Sequence, residues 1–432
     1  SANTSEEWAK YAELYHPIST DSFVSKVKNL DLKSLIKDLV KTEPDKVLVY
    51  EDRFYESFDS LINEENWSLI KAWMLTKIAR GATSFFNEDL RILGGAYGRF
   101  LSNVQEARSQ EKHQLDLTES YFRQVIGLFY GKKYFGEAAK ADVKRMVTAM
   151  IKVYQARLSK NEWLSQETAE KAIEKLDAIT PFIGFPDKLP EIYSRLKTTS
   201  SSLYEDALKF DEILTARTFE KFSEDVDKTS WHMPAHMVNA YYSPDSNTIV
   251  FPAAILQAPF YSLEQSSSQN YGGIGAVIAH EISHAFDNNG AQFDKEGNLN
   301  KWWLDEDYEA FEEKQKEMIA LFDGVETEAG PANGKLIVSE NIADQGGITA
   351  ALTAAKDEKD VDLKAFFSQW VKIWRMKASK EFQQMLLSID VHAPAKLRAN
   401  IPPTNLEEFY ETFDVKETDK MYRAPENRLK IW

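Results

Sequence analysis

Apolar side chains recur at the spacing of an α-helix through roughly the first 200 residues. Segments 67–78 and 121–130 show this pattern, which predicts amphipathic helices. Ser165 is predicted to cap the helix that follows it, and Ser202 with Glu205 fits a capping box before another helix. The clearest apolar stripe comprises Val143, Met146, Val147, Met150, Ile151 and Tyr154. The first half of the chain is therefore predicted to be mainly helical.

The pattern changes in the second half, where short β-prone runs appear. Residues 238–242 and 248–251 are such runs, and the polar stretch 243–247 between them is a turn signal. Helical patterns return at 339–356 and 366–376. A strand pair followed by helices is typical of an α+β lobe whose site lies between a strand edge and the helices.

A break in the helical pattern indicates where the chain divides. Prolines and a glycine between residues 181 and 190 interrupt it, and we expect a boundary within 180–230. We predict a mainly α protein of the α+β class with two lobes. A mainly helical lobe is assigned to residues 1–205, and a second lobe, which carries the chemistry, to residues 206–432.

The chain is acidic, with 52 Lys and Arg against 68 Asp and Glu among 432 residues, a formal net charge of −16. An acidic surface repels phosphate backbones, so nucleic acid is not expected as a partner. The chain has no cysteine, which excludes a disulfide framework, thiol catalysis and a Cys-ligated zinc finger.

Hydropathy and cysteine content bear on the cellular compartment. No apolar run approaches the roughly 18 residues that span a bilayer, so no membrane segment is expected in this chain. The lack of cysteine fits the cytoplasm, which is the predicted compartment. The sequence opens Ser-Ala-Asn-Thr without an initiating methionine, so a secreted or cell-surface location stays open.

The strongest chemical motif is His280-Glu281-Ile282-Ser283-His284. On a helix, histidines four apart project from one face, which suits two nitrogen ligands on one Zn²⁺. Glu281 then lies beside the metal, where it can deprotonate a water. The alternative is a chance match, which the apolar residues before the motif disfavour because they indicate a buried helix. We therefore predict one zinc ion per chain, with His280 and His284 among its ligands.

A catalytic zinc needs a third protein ligand and an open fourth position. If Ser339 caps a helix, Glu340 and Asp344 share one of its faces. The alternative is a pair of solvated surface charges, but the surrounding residues are apolar or small, so these carboxylates are expected to point inward. Glu340 as a ligand and Asp344 as the acceptor for a histidine N–H would satisfy both.

Asp390-Val391-His392 supplies a third histidine, and Arg398 follows six residues later. Alone, such a histidine is more often structural or exposed. A zinc peptidase needs donors for the oxyanion of its tetrahedral intermediate, and a histidine supported by a carboxylate can supply one. Arg398 is a candidate for binding a substrate carbonyl or carboxylate.

These motifs, with Asn239-Ala240-Tyr241-Tyr242 and Ile431-Trp432, resemble the neprilysin family of zinc metallopeptidases. The bacterial endopeptidases of the oligopeptidase O type are the most similar members. The resemblance covers the chain from about residue 225 to the end, and the first half more loosely. It implies a thermolysin-like zincin catalytic lobe with a small sheet, and a helical covering lobe around a substrate chamber.

The resemblance also implies roles for individual residues. By it, His280, His284 and Glu340 match the zinc ligands, and Glu281 matches the general base. Asp344 matches the carboxylate that orients a liganding histidine.

Further roles concern the substrate. His392 matches the transition-state stabiliser, and Arg398 matches the residue that grips the substrate backbone. Asn239 and Ala240 match the edge segment that binds a peptide in extended form.

Four residues fall where the family lines its S1′ pocket: Ile255, Phe260, Val277 and Trp374. Ordinary core packing is the alternative for each of them. Ala276 stands where the family has a bulky residue beside the zinc helix, so specificity is expected to differ.

The sequence thus predicts a zinc endopeptidase that hydrolyses oligopeptides, prefers bulky apolar P1′ residues and uses a metal-activated water with Glu281 as general base. Family members have around two hundred further residues upstream, so this missing N-terminal segment is expected as a partner of the chain. The rival interpretation is a peptidase-like binding protein or adhesin with a structural zinc. A structural site has no use for Glu281, which favours the enzyme.

Overall fold

The computed structural model describes residues 3–10 and 12–432. It is mainly helical with small sheets, as predicted. The α-helices are α1 (Ser5–Ala9), α2 (Thr20–Val24), α3 (Leu32–Val40), α4 (Asp52–Glu56), α5 (Phe58–Leu61), α6 (Trp67–Ala82), α7 (Glu88–Gly94), α8 (Ala96–Leu101), α9 (Gln110–Tyr134), α10 (Glu137–Leu158), α11 (Gln166–Asp177), α12 (Leu203–Glu220), α13 (Ser267–Asn270), α14 (Ala276–Ser283), α15 (Asp305–Phe322), α16 (Val338–Lys356), α17 (Leu363–Ile373), α18 (Lys380–Ile389), α19 (Ala395–Asn400) and α20 (Glu407–Phe413). The strands are β1 (Pro17–Ser19), β2 (Lys46–Leu48), β3 (Thr180–Gly184), β4 (Tyr241–Ser243), β5 (Thr248–Pro252), β6 (Glu326–Thr327) and β7 (Gly330–Pro331).

The chain forms two compact units, each built from two segments. The first comprises Ser1–Arg123 and Lys188–Asp227, and the second comprises Gln124–Asp187 and Lys228–Trp432. Lobes 1–205 and 206–432, as assigned from the sequence, stay a prediction. Within the described residues, no helix is both long and apolar enough to cross a membrane.

In the described part of the first unit, the regular secondary structure is helical apart from one short strand pair. Strands β1 and β2 pair antiparallel, and beside them lies a core formed by Phe23, Val27, Leu32 and Val49. The Ser202 hydroxyl accepts the N–H of Glu205 and caps α12, as predicted. The Glu205 carboxylate accepts the Ser200 hydroxyl instead of returning to the cap, so the reciprocal half of the capping box is wrong.

In the second unit, the predicted stripe lies on α10 and packs inward. Five of its six residues, Val143, Met146, Val147, Met150 and Tyr154, are at most 1% exposed, whereas Ile151 is only partly buried. The stripe therefore forms the side of the core on which the later helices pack.

The next helix of this unit, α11, begins as the sequence indicates. The Ser165 hydroxyl accepts the N–H of Thr168 and caps the helix. This interaction satisfies one of the backbone donors that the first turn of a helix leaves unpaired.

The three-stranded sheet of the second unit has the strand order β3-β5-β4. Strand β5 is buried along its whole length and pairs antiparallel with β4 through a turn at Asn247, whose φ is 51°. The strand pair is confirmed, but β4 begins at Tyr241 rather than Val238. Strand β3 runs parallel to β5 and was not predicted, because Pro181 indicated a break. Proline is tolerated in β3 because this strand lies at the sheet edge.

Helices α14 and α16 cross closely in the second unit. A Cβ added at Gly347 would lie 2.7 Å from the carbonyl oxygen of Ala276 and 3.0 Å from the backbone nitrogen of His280. Only a residue without a side chain permits this approach, which brings the carboxylates of α16 to the histidines of α14. The expected cap at Ser339 is wrong, because α16 begins at Val338 and the Ser339 hydroxyl donates instead to Asp287, at 2.5 Å.

Candidate active site

Helix α14 carries His280 and Glu281 of the predicted motif in buried positions, and His284, its C-cap residue, is partly buried. The Nε2 atoms of His280 and His284 lie 3.0 Å apart, and the two rings are nearly perpendicular. Glu281, between them in sequence, is 6% exposed. Ligand atoms of all three side chains lie within 4.8 Å of one another. The helix and its C-cap residue thus present two imidazoles and a carboxylate to one small volume.

Each of the two imidazoles is held in place by a carboxylate. His280 Nδ1 lies 2.9 Å from Asp344 Oδ1, and His284 Nδ1 lies 2.6 Å from Asp287 Oδ2. A carboxylate accepts the Nδ1 proton, which leaves the lone pair on Nε2 for a metal ion. Asp287 was not among the predicted site residues, although its position three residues after His284 was the available signal.

Glu340 approaches the same point from α16. Its Oε2 atom lies 3.2 Å from His280 Nε2, 3.6 Å from His284 Nε2 and 3.2 Å from His392 Nε2. This oxygen is buried and forms no well-directed hydrogen bond within the described residues. A buried carboxylate oxygen of this kind requires a partner of opposite charge.

His392 lies at the open side of the cluster and keeps 43% of its side chain exposed. The carboxylate of Asp390 accepts both the backbone N–H of His392, at 3.0 Å, and its Nδ1–H, at 2.8 Å. The ring is therefore fixed with Nε2 toward Glu340. The structure brings this sequence-predicted histidine to the cluster.

Arg398 on α19 is buried beside Asp344. Its Nε and one terminal nitrogen donate to the two Asp344 oxygens, each at 2.7 Å. The guanidinium carbon lies 3.8 Å from the centre of the Trp374 ring. One edge of the guanidinium therefore binds Asp344, and one face stacks on Trp374. Asp344 binds both His280 and Arg398.

The residues predicted to bind substrate side chains lie in the same unit. Ile255 and Val277 are buried at 4% and 7% exposure, and Val277 lies one turn before His280 on α14. Phe260 and Trp374 are partly exposed. The S1′ pocket that these four were predicted to form stays a prediction.

The predicted edge segment lies directly before β4. Ala240 is buried, whereas Asn239 is exposed and its side-chain oxygen accepts the Ala240 N–H at 3.0 Å. Since β4 is an edge strand of the sheet, the backbone here is at a position where a further extended chain can pair.

The electrostatics of the cluster favour protonated histidines beside ionised carboxylates. Burial opposes the charged form of each histidine, but Asp344 and Glu340 raise the pKa of His280. Glu340 and Asp287 raise the pKa of His284 well above its ordinary value. Burial also disfavours the ionised form of Glu340, yet His284 and the other imidazoles hold the pKa of this carboxyl well below its usual range.

Glu281 has a different environment from the carboxylates around it. Burial raises the pKa of Glu281, because a desolvated carboxylate is less stable. Burial acts in the same direction on Asp344, but the Arg398 guanidinium overrides it and lowers the pKa of Asp344 to about 2. The two buried carboxyls therefore differ in proton affinity, a separation that is typical of acid–base sites.

The donor set fits a zinc ion. Zinc bonds of about 2.0–2.1 Å at tetrahedral angles separate ligand atoms by about 3.3 Å. The distances of 3.0, 3.2 and 3.6 Å among His280 Nε2, His284 Nε2 and Glu340 Oε2 match this spacing. Two imidazole nitrogens, one carboxylate oxygen and a position open toward His392 fit the donor pattern of a catalytic rather than a structural zinc site.

The class of protein follows from comparison with known families. Models of peptidase family M13 match residues 1–186 and 239–429 of the chain. The chain belongs to this family, the neprilysin-like zinc metallopeptidases, and is a zinc metalloendopeptidase. The predicted family, enzyme class and zincin fold class are confirmed.

Individual relatives agree with this assignment. The neutral endopeptidase of Lactococcus lactis subsp. lactis (strain IL1403) is 99% identical over all 432 residues, which span 69% of that protein. The crystal structure of PEPO from Lactobacillus rhamnosis HN001 superposes with a TM-score of 0.94 at 39% identity, over 99% of this chain and 68% of that one. The structure of the Mycobacterium tuberculosis zinc metalloprotease Zmp1 in complex with an inhibitor superposes with a TM-score of 0.91 at 30% identity, over 100% of this chain and 68% of that one. The expected upstream partner segment stays a prediction.

Proposed function

We propose that the chain hydrolyses oligopeptides by a water-attack mechanism, with one zinc ion held by His280, His284 and Glu340. The observation that carries this proposal is the buried convergence of these three side chains around Glu281. Glu281 contributes nothing that a structural metal site needs. Its position within 4.8 Å of both liganding nitrogens suits a group that handles a proton at the reacting centre.

Glu281 is proposed as the general base and then the general acid. A bound zinc ion would supply Lewis acidity, lowering the pKa of the attacking water and polarising the scissile carbonyl. Glu281 removes the proton from that water and returns it to the nitrogen of the leaving amine. Its raised pKa favours this shuttle, because a stronger base accepts the proton more readily at neutral pH.

His392 is proposed to stabilise the oxyanion that forms on the scissile carbonyl. Asp390 holds its Nδ1–H, so the opposite Nε2 faces the cluster as a donor when the ring is protonated. Burial opposes this charge, but Glu340 and Asp390 raise the pKa of His392 to about 10. A cationic donor preorganised in this way is worth more in the transition state than in the ground state.

Asp344 and Arg398 are proposed to orient the site and the substrate. Asp344 fixes the tautomer of His280, and Arg398 grips the peptide backbone with the terminal nitrogen that is not bound to Asp344. Asn239 and Ala240 are proposed to pair with an extended peptide along the free edge of β4. A bulky apolar P1′ side chain would enter a pocket lined by Ile255, Phe260, Val277 and Trp374.

Metal analysis combined with cleavage-site mapping tests the proposal. The purified chain should contain about one zinc ion per molecule, as three protein ligands with one open position imply. It should cleave internal bonds in a mixture of short peptides, lose this activity to a chelator and regain it with zinc. A second sample, incubated with zinc but with no chelator step, controls for inactivation during handling.

The outcomes separate the enzyme from a binding protein. Stoichiometric zinc without any peptide cleavage would indicate a structural metal on a peptidase-like scaffold. Cleavage that survives complete zinc removal would contradict the role assigned to the three ligands.

A further inference from the structure

We propose that Lys175, on α11, is a positioning residue that fixes His284 through the turn of residues 285–293. The proposal rests on the proposed function, since it concerns how the zinc site is held. Lys175 lies more than a hundred residues before the zinc helix in sequence and belongs to none of the motifs above.

Among the residues that the structure describes, the Lys175 ammonium donates its hydrogen bonds to the backbone of this turn, and aromatic rings surround it. Its Nζ donates to three carbonyl oxygens: Ala285 at 2.8 Å, Gly290 at 2.7 Å and Phe293 at 2.6 Å. An ammonium group has three hydrogens, and these three acceptors use all of them. One side chain thereby ties together the start, middle and end of the turn that follows His284.

The turn of residues 285–293 also fixes the carboxylate of Asp287. Asp287 Oδ1 accepts the backbone N–H groups of Asn289, at 2.8 Å, and Gly290, at 2.7 Å, so the side chain is locked inside the turn. A Cβ at Gly290 would lie 1.7 Å from the carbonyl oxygen of His284, which shows how tightly the turn folds back on the end of α14. Because Asp287 Oδ2 binds His284 Nδ1, the position of the turn determines the direction of this imidazole.

Charge supports the same arrangement. Lys175 and Asp287 are each 1% exposed. Burial lowers the pKa of Lys175 to about 7, while Asp287 and Asp294 favour its charged form. The ammonium lies 5.9, 5.8 and 5.5 Å from the ring centres of Tyr242, Phe286 and Trp302. These rings exclude water and leave the carbonyls as the main partners of the cation.

The backbone of Lys175 extends the link to the sheet. Asn247, in the turn between β4 and β5, donates from Nδ2 to the Lys175 carbonyl oxygen at 3.1 Å. Its Oδ1 accepts the Tyr242 hydroxyl at 3.0 Å. Lys175 therefore connects the turn after the zinc helix with the strand next to which the peptide is proposed to lie.

If Lys175 were purely structural, replacing it would change stability alone. If it positions His284, replacing it should also change zinc affinity. We compare Lys175→Met with Lys171→Met, a matched change on the same helix at a side chain that is 42% exposed and paired with Glu167. Zinc dissociation constants are measured on the whole chain by competition with a chromophoric chelator. We expect Lys175→Met to weaken zinc binding by about 10-fold or more, as loss of an outer support of a ligand does. Lys171→Met should stay within about twofold of wild type, as surface substitutions do.

A double-mutant cycle with Asp287→Ala tests the route. If Lys175 acts through Asp287, the Met substitution should weaken zinc binding much less in the Asp287→Ala background than in wild type. Hydrogen exchange of residues 285–293 without zinc should also be faster in Lys175→Met, a readout that does not depend on activity.

Lys175→Gln provides a second variant, because its amide can still donate to two of the three carbonyls. It should bind zinc with an affinity between those of wild type and Lys175→Met. Unchanged zinc affinity in a folded Lys175 variant with a lowered melting temperature would overturn the proposal. Failure of both variants to fold would also count against it, since it would assign Lys175 to the core alone. Failure of the wild-type chain to bind zinc would instead refute the proposed function.

Discussion

At the scale of single residues, the site depends on carboxylates that serve two partners each. Asp344 binds His280 on one side and Arg398 on the other, and Asp287 binds both His284 and Ser339. An acceptor shared in this way fixes two side chains at once. It also keeps a buried negative charge paired, without which its burial would cost several kcal/mol.

The buried Lys175 should make stability depend on pH in a specific window. Its pKa is about 7 in the folded chain and 10.5 in the unfolded one. Between these values the unfolded chain holds a proton that the folded chain has lost, so the free energy of unfolding rises with pH. The slope due to this group approaches about 1.4 kcal/mol per pH unit.

Urea titrations of wild type and Lys175→Met from pH 6.5 to 10, in chelator to remove zinc linkage, measure this difference. The wild type should gain stability relative to the variant as the pH rises. A difference that is constant across the window would contradict the lowered pKa, because it would show that Lys175 keeps its proton in the folded chain as it does in the unfolded one.

The proposed P1′ pocket makes a second prediction at this scale. Peptides with Phe or Leu at P1′ should have a kcat/KM at least about 100-fold higher than those with Asp or Lys, because an unpaired charge in an apolar pocket costs several kcal/mol. Trp374→Ala should lower kcat/KM for the Phe peptide by about 10-fold through lost apolar contact.

Val371→Ala is the matched control for this prediction, since Val371 lies on the preceding helix α17 and is 43% exposed. It should leave the P1′ preference unchanged. Cleavage maps dominated by acidic or basic P1′ residues would refute the pocket assignment.

At the scale of secondary-structure elements, the crossing of α14 and α16 sets the site. Gly347→Ala should force the two backbones apart, because the new methyl group would lie 2.7 Å from the Ala276 carbonyl oxygen. We expect a loss of about 1–3 kcal/mol of stability, together with weaker zinc binding.

Gly81→Ala on α6 serves as the control, since nothing lies within 4 Å of a Cβ there. It should be neutral or stabilising by about 0.5–1 kcal/mol, the usual advantage of Ala over Gly in a helix. Equal effects of the two substitutions, measured by denaturation and zinc competition, would contradict the importance of the crossing.

The same scale shows which elements the sequence could predict. Helices α10 and α16 were predictable because their apolar or small residues repeat over several turns, and α11 and α12 because their serine caps are local signals. Strand β3 was missed because Pro181 is a breaker in sequence but lies on an edge strand in the fold. Whether a strand is at an edge depends on partners distant in the chain, which periodicity does not show.

The candidate site was also predictable in part from the sequence. His280, Glu281 and His284 carry their geometry in their spacing, and Glu340 follows from the need for a third ligand. Lys175 carries no such local signal, because its partners are backbone carbonyls more than a hundred residues away.

At the scale of the whole molecule, the second unit brings together parts of the sequence that lie far apart. Gln124–Asp187 joins Lys228–Trp432, although about forty residues of the first unit separate them. This arrangement places α10 and α11 beside the zinc helix, and it explains how residues from a predicted helical lobe support the metal site. Only tertiary contacts reveal such an arrangement.

Glu281→Gln tests most directly whether Glu281 moves the proton in a zinc-dependent hydrolysis. The amide has the same size and still hydrogen-bonds a water, but it cannot accept the proton. The variant should bind zinc as tightly as wild type and retain its melting temperature, while kcat falls by at least about 10²–10⁴. A folded, zinc-loaded Glu281→Gln chain with kcat within tenfold of wild type would contradict the mechanism.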